Sequence, residues 1–129
     1  MGSVGWVDLT VRDADRVQRF YEDVAHWQVS PLEMGGYSDY LMLPPGGRKP
    51  VAGVCHKRGV NAKLPPVWMI YIKVPDLDAS LKRCQELGGK VLVKPAAMGA
   101  GSRYAVIEDP AGAVCALYQV ADEASSPAL

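Results

Sequence analysis

The sequence has few cysteines, few histidines and no long apolar run. The three cysteines, Cys55, Cys84 and Cys115, are widely spaced and form no CxxC pair. This usage does not fit a disulfide framework and predicts a reduced, cytoplasmic protein whose cysteines serve as small apolar residues. No stretch reaches the length of a membrane span, and the N-terminus shows no signal-peptide core. We therefore expect no membrane association.

Neither sign of charge is in excess. Fourteen Lys and Arg residues balance fourteen Asp and Glu residues, and no basic stripe is interleaved with aromatic residues. Nucleic acid is therefore not an expected partner. Apolar residues make up 49% of the 129 residues, which is typical of a globular domain. A chain of this length forms one domain, or two small halves that share a core.

An internal repeat organises the chain. The stretch "GWVDLTVRDADRVQRFYEDV" has alternating apolar residues, then Asp13 as a helix cap, then an amphipathic helix whose core stripe is Val17, Phe20, Tyr21 and Val24. "WMIYIKVPDLDASLKRCQEL" repeats this pattern 63 residues later, with Asp76 as the cap. Glycines 88 and 89 are expected to end the second helix. Each copy is followed by three further strand candidates, so each unit reads as βαβββ.

These patterns predict an α+β fold of two βαβββ repeats forming a curved sheet around a cavity. The repeat units are expected at about residues 5–57 and 67–120, joined by a linker at 58–66 and followed by a fraying tail at 121–129. Two such halves placed side by side would enclose a pocket for a small molecule.

The sequence resembles the vicinal oxygen chelate superfamily, which includes glyoxalases and bleomycin-resistance proteins. The resemblance spans about residues 5–120 and is carried by "VDLTVRDADRVQRFYEDV", "GGYSDYLML", "PVAGVCHK", "PPVWMIYIKVPDLDASLKRCQELGGKVLVKP" and "GSRYAVIEDPAGAVCALYQ". It is greatest to the lactoylglutathione-lyase-related branch. The resemblance implies the same curved-sheet fold, and in the family's enzymes a divalent metal held by His, Glu or Gln side chains.

The ligand positions that the resemblance implies hold the wrong residues for such a metal. The first lies seven residues before each capping Asp, at Trp6 and at Met69, and another lies seven residues after Asp109, at Ala116. The fourth falls in "PVAGVCHK", at Gly53 or a neighbour, where no register supplies a carboxylate. None of these three assigned residues is a ligand for a hard divalent ion. We therefore expect no metal and no cofactor, and metal-dependent glyoxalase or dioxygenase activity is disfavoured.

Other residues on the same strand faces are candidates for binding a ligand. Strand alternation places Asp8 with Trp6, and Tyr71 with Met69, while Tyr118 lies on the last strand. Asp8 is interpreted as a general base, as a partner of Lys73, or as a solvated carboxylate, and we favour the solvated alternative. Two alternatives stay open for these aromatic and apolar side chains. They line an open pocket, or they fill the space that a metal occupies in the family's enzymes.

The two histidines are weaker candidates. His56 ends a strand and is included among the ligand-binding residues as an acid–base group, although a structural role is the simpler interpretation. His26 falls at the end of the first helix, where we expect a cap or a surface position. Trp68, opposite in alternation to Met69, is expected to pack under a helix, and Trp27 to serve packing or a dimer surface.

Three hypotheses about function remain open. The first is a metal-free binder of a small organic molecule, similar to the bleomycin-resistance branch, and we expect it to form a homodimer. The alternative is an enzyme of the same fold, such as a lyase, dioxygenase or hydroxylase acting on a small oxygenated substrate. A third hypothesis is a partner-binding subunit whose pocket is filled by its own side chains.

Overall fold

Two aspartates 63 residues apart, Asp13 and Asp76, cap the two α-helices found among the described residues. In the computed structural model, which describes residues 1–121, Oδ1 of Asp13 accepts the Arg16 backbone N–H at 3.1 Å, and Oδ1 of Asp76 accepts that of Ala79 at 3.1 Å. These bonds satisfy backbone donors that have no partner inside a helix. The predicted caps are therefore confirmed. The tail from 122 onward, including its predicted fraying, lies outside the described residues.

The chain divides into two compact units. Among the described residues, the first unit is Trp6–Met69, and the second unit is Met1–Gly5 together with residues 70–121. Strand β1 (Val4–Val11) contributes its first two residues to the second unit and the remainder to the first.

In the first unit, a helix lies on a four-stranded sheet. Its elements are β1, α1 (Ala14–Val24), β2 (Gln28–Glu33), β3 (Ser38–Leu43) and β4 (Ala52–His56), and a 3-10 turn follows at Gly59–Asn61. The strand order is β2-β3-β4-β1, with β1 parallel to β4 and the other pairs antiparallel. Ala14, Met42, Ala52 and Val54 form the buried centre of its core.

The second unit repeats this arrangement. Its elements are β5 (Met69–Lys73), α2 (Leu77–Glu86), β6 (Lys90–Ala97), β7 (Arg103–Glu108) and β8 (Val114–Gln119). The first residue of β5, Met69, belongs to the first unit. The order is β5-β8-β7-β6, with β5 parallel to β8. Leu77, Leu81, Ala105 and Leu117 form its buried core. The predicted fold class, α+β with two βαβββ repeats, is confirmed.

The turns after the helices also follow the sequence. Gly88 adopts φ +94°, and the Gly89 N–H donates to the carbonyl of Cys84 at 2.8 Å, so the predicted glycine cap is present. His26 has φ +60° just beyond α1, the left-handed geometry that ends a helix. His26 is therefore a residue of the helix end, as expected.

The predicted core stripe of α1 is only half buried. Val17 and Tyr21 pack against the core, but Phe20 is 55% exposed and Val24 is 60% exposed. The helix contacts the sheet through the side that carries Ala14, Val17 and Tyr21, and Phe20 and Val24 lie outside that contact. The expectation that all four stripe residues enter the core was wrong for these two.

Candidate ligand-binding faces

Strand β1 presents Trp6, Asp8 and Thr10 on the face away from α1. Asp8 pairs in register with Gly53 of the parallel strand β4. A methyl group added at Gly53 would lie 3.3 Å from Cζ2 of Trp6 and 3.2 Å from Cβ of Asp8. The missing side chain of Gly53 therefore allows the indole to lie close over the sheet. Trp6 is half-buried, whereas Thr10 is 5% exposed.

The corresponding face of the second unit carries three tyrosines. Tyr71 lies 6.0 Å from Tyr104 and 6.5 Å from Tyr118 between ring centroids. Tyr71 and Tyr104 are buried, and Tyr118 is half-buried with its hydroxyl end beside Gly5. Tyr104 was missed by the sequence analysis, because only the β7–β8 register, which pairs Tyr104 with Tyr118, reveals that it joins this group.

The burial of Asp8 corrects an expectation. Only 8% of this residue is exposed, so the favoured interpretation as a solvated carboxylate was wrong. Strand β1 is covered on this face at Asp8, and the strand position alone could not show that coverage. A buried carboxylate is compatible with the general-base and ion-pair alternatives. Met69 and Tyr71 are buried as well, at 3% and 6% exposure, and behave as core side chains.

The donor atoms at the implied ligand positions do not fit a divalent metal. The indole N–H of Trp6 only donates hydrogen bonds, and the thioether sulfur of Met69 is a weak acceptor. Ala116 is fully buried and has no side-chain atom that could bind a metal. Within residues 1–121, no group of three or more His, Cys, Asp or Glu side chains is placed to hold a metal ion. We therefore derive no chemistry through a bound metal.

The structure separates His56 from Trp6 and Asp8. The register pairs His56 with Val11, whose side chain faces α1, and Nε2 of His56 lies 3.4 Å from Oδ1 of Asp15 on that helix. Cys55 instead shares the face of Asp8, with Sγ 3.7 Å from a methyl group added at Gly53. His56, predicted as a ligand-binding residue, thus lies on the helix side of the sheet, on the opposite face from Trp6 and Asp8.

His56 belongs to a polar cluster that we call the Asp15 cluster, formed by Asp15, Asp39, Tyr40 and His56. The Tyr40 hydroxyl donates to Asp15, and the His56 backbone N–H donates to Oδ1 of Asp39 at 2.8 Å. The hydrogen bond from Tyr40, together with the imidazole of His56, lowers the pKa of Asp15 below its ordinary value of 3.8. The same hydrogen bond raises the pKa of Tyr40 above 10.0. The cluster joins α1 to β3 and β4.

The Cys55 thiol is unreactive by its surroundings. Burial first, then the carboxylates of Asp8 and Asp39, raise its pKa well above the ordinary thiol value. Because the thiolate is the nucleophile, this thiol is not an activated one. All three cysteines are free.

The paired βαβββ units and the aromatic faces opposite the helices define a glyoxalase-type fold. Residues 3–117 match the family model described as the Glyoxalase/Bleomycin resistance protein/Dioxygenase superfamily. The chain belongs to this superfamily, which confirms the resemblance stated from the sequence. No helix among the described residues is long and apolar enough to cross a membrane.

Relatives by sequence are longer proteins. The chain is 31% identical over 119 residues to the "Putative glyoxylase CFP32" of Mycobacterium tuberculosis, covering 92% of this chain and 46% of that protein. It is 36% identical over 114 residues to the anthracycline biosynthesis protein DnrV of Streptomyces peucetius, covering 87% of this chain and 39% of that protein. The chain thus spans less than half the length of these relatives.

Solved structures share the fold at low sequence identity. The methylmalonyl-CoA epimerase of Mycobacterium tuberculosis superposes with a TM-score of 0.57 at 21% identity, covering 96% of this chain and 91% of that chain. A hypothetical protein of Bacillus halodurans, BH1468, superposes with a TM-score of 0.60 at 12% identity, covering 97% and 99%. At these identities the likeness shows the fold alone.

Proposed function

We propose that this protein binds a small organic molecule, without a metal, on the sheet face that carries Trp6. The observation that carries the proposal is the placement of Trp6, half-buried over Gly53 and beside the buried Asp8. An aromatic wall with a few fixed polar groups is the usual composition of a small-molecule site. Thr10 supplies a second polar side chain on the same face of β1.

The second unit supports the proposal with a similar face. Tyr118 is half-buried, while Tyr71 and Tyr104 lie buried beside it. Met69 of the first unit and Tyr71 of the second are about as buried as Asp8 and Thr10, and both stay predicted ligand-binding residues. A ligand with a planar or apolar body and at least one oxygen acceptor suits tyrosine hydroxyls and an indole.

Elemental analysis of the purified protein tests whether it holds a bound transition metal. Because Trp6, Met69 and Ala116 supply no hard ligand, we expect far less than one transition-metal ion per chain after dialysis. Incubation with Mn²⁺, Ni²⁺ or Zn²⁺ is expected to leave the melting temperature unchanged. One tightly bound transition metal per chain would contradict the proposal.

Binding is tested by thermal-shift screening with uncharged small aromatic compounds and aliphatic 2-oxo compounds. A ligand of the native state raises the melting temperature, with a stabilisation of about 2.7 kcal/mol at one hundred times its Kd. Trp6→Ala is expected to abolish the shift, whereas Trp27→Phe, on the helix side of the first unit, is expected to retain it. If no compound stabilises the wild-type protein and Trp6→Ala only lowers the melting temperature, Trp6 is a core residue and the proposal fails.

The burial of Asp8 favours a second candidate, a metal-free enzyme. As a general base, the Asp8 carboxylate would take a proton from the carbon beside a carbonyl group and return one to the same carbon. In D2O this cycle exchanges the proton for deuterium without net reaction. We expect exchange at C3 of 2-oxobutyrate, followed by NMR, to be catalysed by the wild-type protein and lost in Asp8→Asn. Equal exchange with and without protein would exclude this candidate for that substrate.

We further propose that the protein is a homodimer of the cytoplasm. Leu32, on the edge strand β2, and the neighbouring Met34 are each 45% exposed, and such side chains favour association. Three free cysteines support a reducing compartment. Light scattering on the purified protein tests the dimer, and Leu32→Ser is expected to shift the equilibrium toward monomer. A monomeric wild-type protein would contradict this proposal.

A further inference from the structure

A groove lies on the helix side of the first unit, on the opposite face of β1 from Trp6 and Asp8. Its volume is about 340 Å³, within the range of small-molecule sites. The wall is apolar and aromatic, and it includes Leu9 of β1, Val17, Phe20 and Tyr21 of α1, and Trp68. The groove explains why Phe20 remains 55% exposed despite its place in the apolar stripe.

Three aromatic rings shape the wall. The rings of Phe20 and Tyr21 meet edge to face at 5.1 Å, and those of Tyr21 and Trp68 at 5.2 Å. Indole Nε1 of Trp68 donates to the Tyr21 hydroxyl at 3.1 Å, which fixes both rings. A fixed aromatic wall favours a flat, apolar ligand body, because little side-chain entropy is lost on binding.

The polar groups of the groove are hydrogen-bond donors. Arg16 lines the groove and is exposed, and among residues 1–121 no carboxylate lies within ion-pair distance of its guanidinium. The Tyr21 hydroxyl accepts from Trp68 and keeps its own proton for donation. A groove with a guanidinium and a phenol at its wall, and no carboxylate, complements an anion.

We propose that this groove is a second binding site, which takes a small aromatic carboxylic acid. The aromatic body lies against Phe20, Tyr21 and Trp68, and the carboxylate accepts from Arg16. The site is independent of the proposed function, because Trp6 and Asp8 do not line it.

The experiment uses 1-naphthoate as the probe and 1-naphthylmethanol as its uncharged counterpart, with affinities measured by titration calorimetry. We expect saturable binding of 1-naphthoate and binding of the alcohol weaker by about fivefold or more. Arg16→Gln is expected to weaken 1-naphthoate by the same factor. Arg12→Gln, which removes a neighbouring exposed arginine outside the groove, is the matched control and is expected to change nothing.

Two further variants separate this groove from the face of Trp6. Phe20→Ser is expected to weaken 1-naphthoate, while Trp6→Ala leaves the Arg16-dependent binding intact. The proposal is overturned if 1-naphthoate does not saturate, if Arg16→Gln retains wild-type affinity, or if Trp6→Ala abolishes the binding. In each of these cases, a compound that raises the melting temperature only when Trp6 is present would still support the proposed function.

Discussion

The indole N–H of Trp68 donates to the hydroxyl of Tyr21 at 3.1 Å, joining α1 to the segment that precedes β5. These residues are 47 positions apart in sequence. The bond is part-buried, and the two rings meet edge to face. It holds a connecting segment against the helix that the first βαβββ unit provides.

Tyr21→Phe is therefore expected to destabilise the protein. The substitution leaves the indole N–H of Trp68 without its acceptor, and the free energy of unfolding should fall by about 1 kcal/mol. Urea denaturation followed by circular dichroism measures the change. Tyr37→Phe is the matched control, since no hydrogen bond of the Tyr37 hydroxyl occurs within residues 1–121, and it should change stability little. Equal effects of both variants would contradict the role of this bond.

Gly53→Ala is expected to destabilise the protein through contact with Trp6. The added methyl group would lie 3.3 Å from the indole and 3.2 Å from Cβ of Asp8, which requires a local shift costing about 1–2 kcal/mol. In a Trp6→Ala background the methyl group has more room, so the cost of Gly53→Ala should fall by at least about 0.5 kcal/mol. Denaturation of the four proteins of this cycle measures the coupling, and strict additivity would contradict it.

The Asp15 cluster predicts a stability that depends on pH at both extremes. The pKa of Asp15 is lower in the folded state, so its contribution is present above 3.8 and is lost as pH falls through the folded-state pKa. The pKa of Tyr40 is raised, so its contribution is present below 10.0 and is lost as pH rises through the folded-state pKa.

Tyr40→Phe removes the hydrogen bond that causes both shifts. We expect a lower melting temperature near pH 7 and a flatter profile at both ends, measured by thermal denaturation from pH 2 to pH 11. Tyr37→Phe again serves as the control and should retain the wild-type profile. A Tyr40→Phe profile parallel to that of the wild type would show that the bond does not set the pH dependence.

The three thiols are expected to differ in reactivity. Because burial and two carboxylates raise the pKa of Cys55, it should react with iodoacetamide in the native protein more slowly than Cys84, by about tenfold or more. Mass spectrometry of peptides after timed labelling measures each site. In urea the two rates should converge. Rapid labelling of native Cys55 would contradict the burial of its thiol and the raised pKa.

Local features of the fold were predictable from the sequence, and long-range ones were not. The two helix caps, the glycine end of α2 and the strand alternation depend on residues within a few positions of one another. The face of His56 depends on its register with Val11, 45 residues earlier, and the cluster of Tyr40 with Asp15 spans 25 residues. Such pairings have no local sequence signal.

The candidate binding faces show the same division. Alternation correctly placed Trp6 with Asp8, and Tyr71 with Tyr118, but it could not show that Asp8 is buried or that Tyr104 joins them. The groove beside Phe20 arises because α1 contacts the sheet through only part of its apolar stripe. A stripe predicts which side of a helix is apolar, and the packing of neighbouring segments decides how much of that side is covered.

The pairing of residues 1–5 with strand β5 of the second unit bears on how the chain folds as it is synthesised. The N–H of Gly2 donates to the carbonyl oxygen of Lys73 at 2.7 Å, and the N–H of Lys73 donates to the carbonyl oxygen of Ser3 at 2.9 Å. These N-terminal residues leave the ribosome before all of the first unit, yet their partner strand β5 is made only afterwards. The second unit therefore cannot be completed by residues 70–121 alone, and a chain beginning at Trp6 would lose these hydrogen bonds from the second unit.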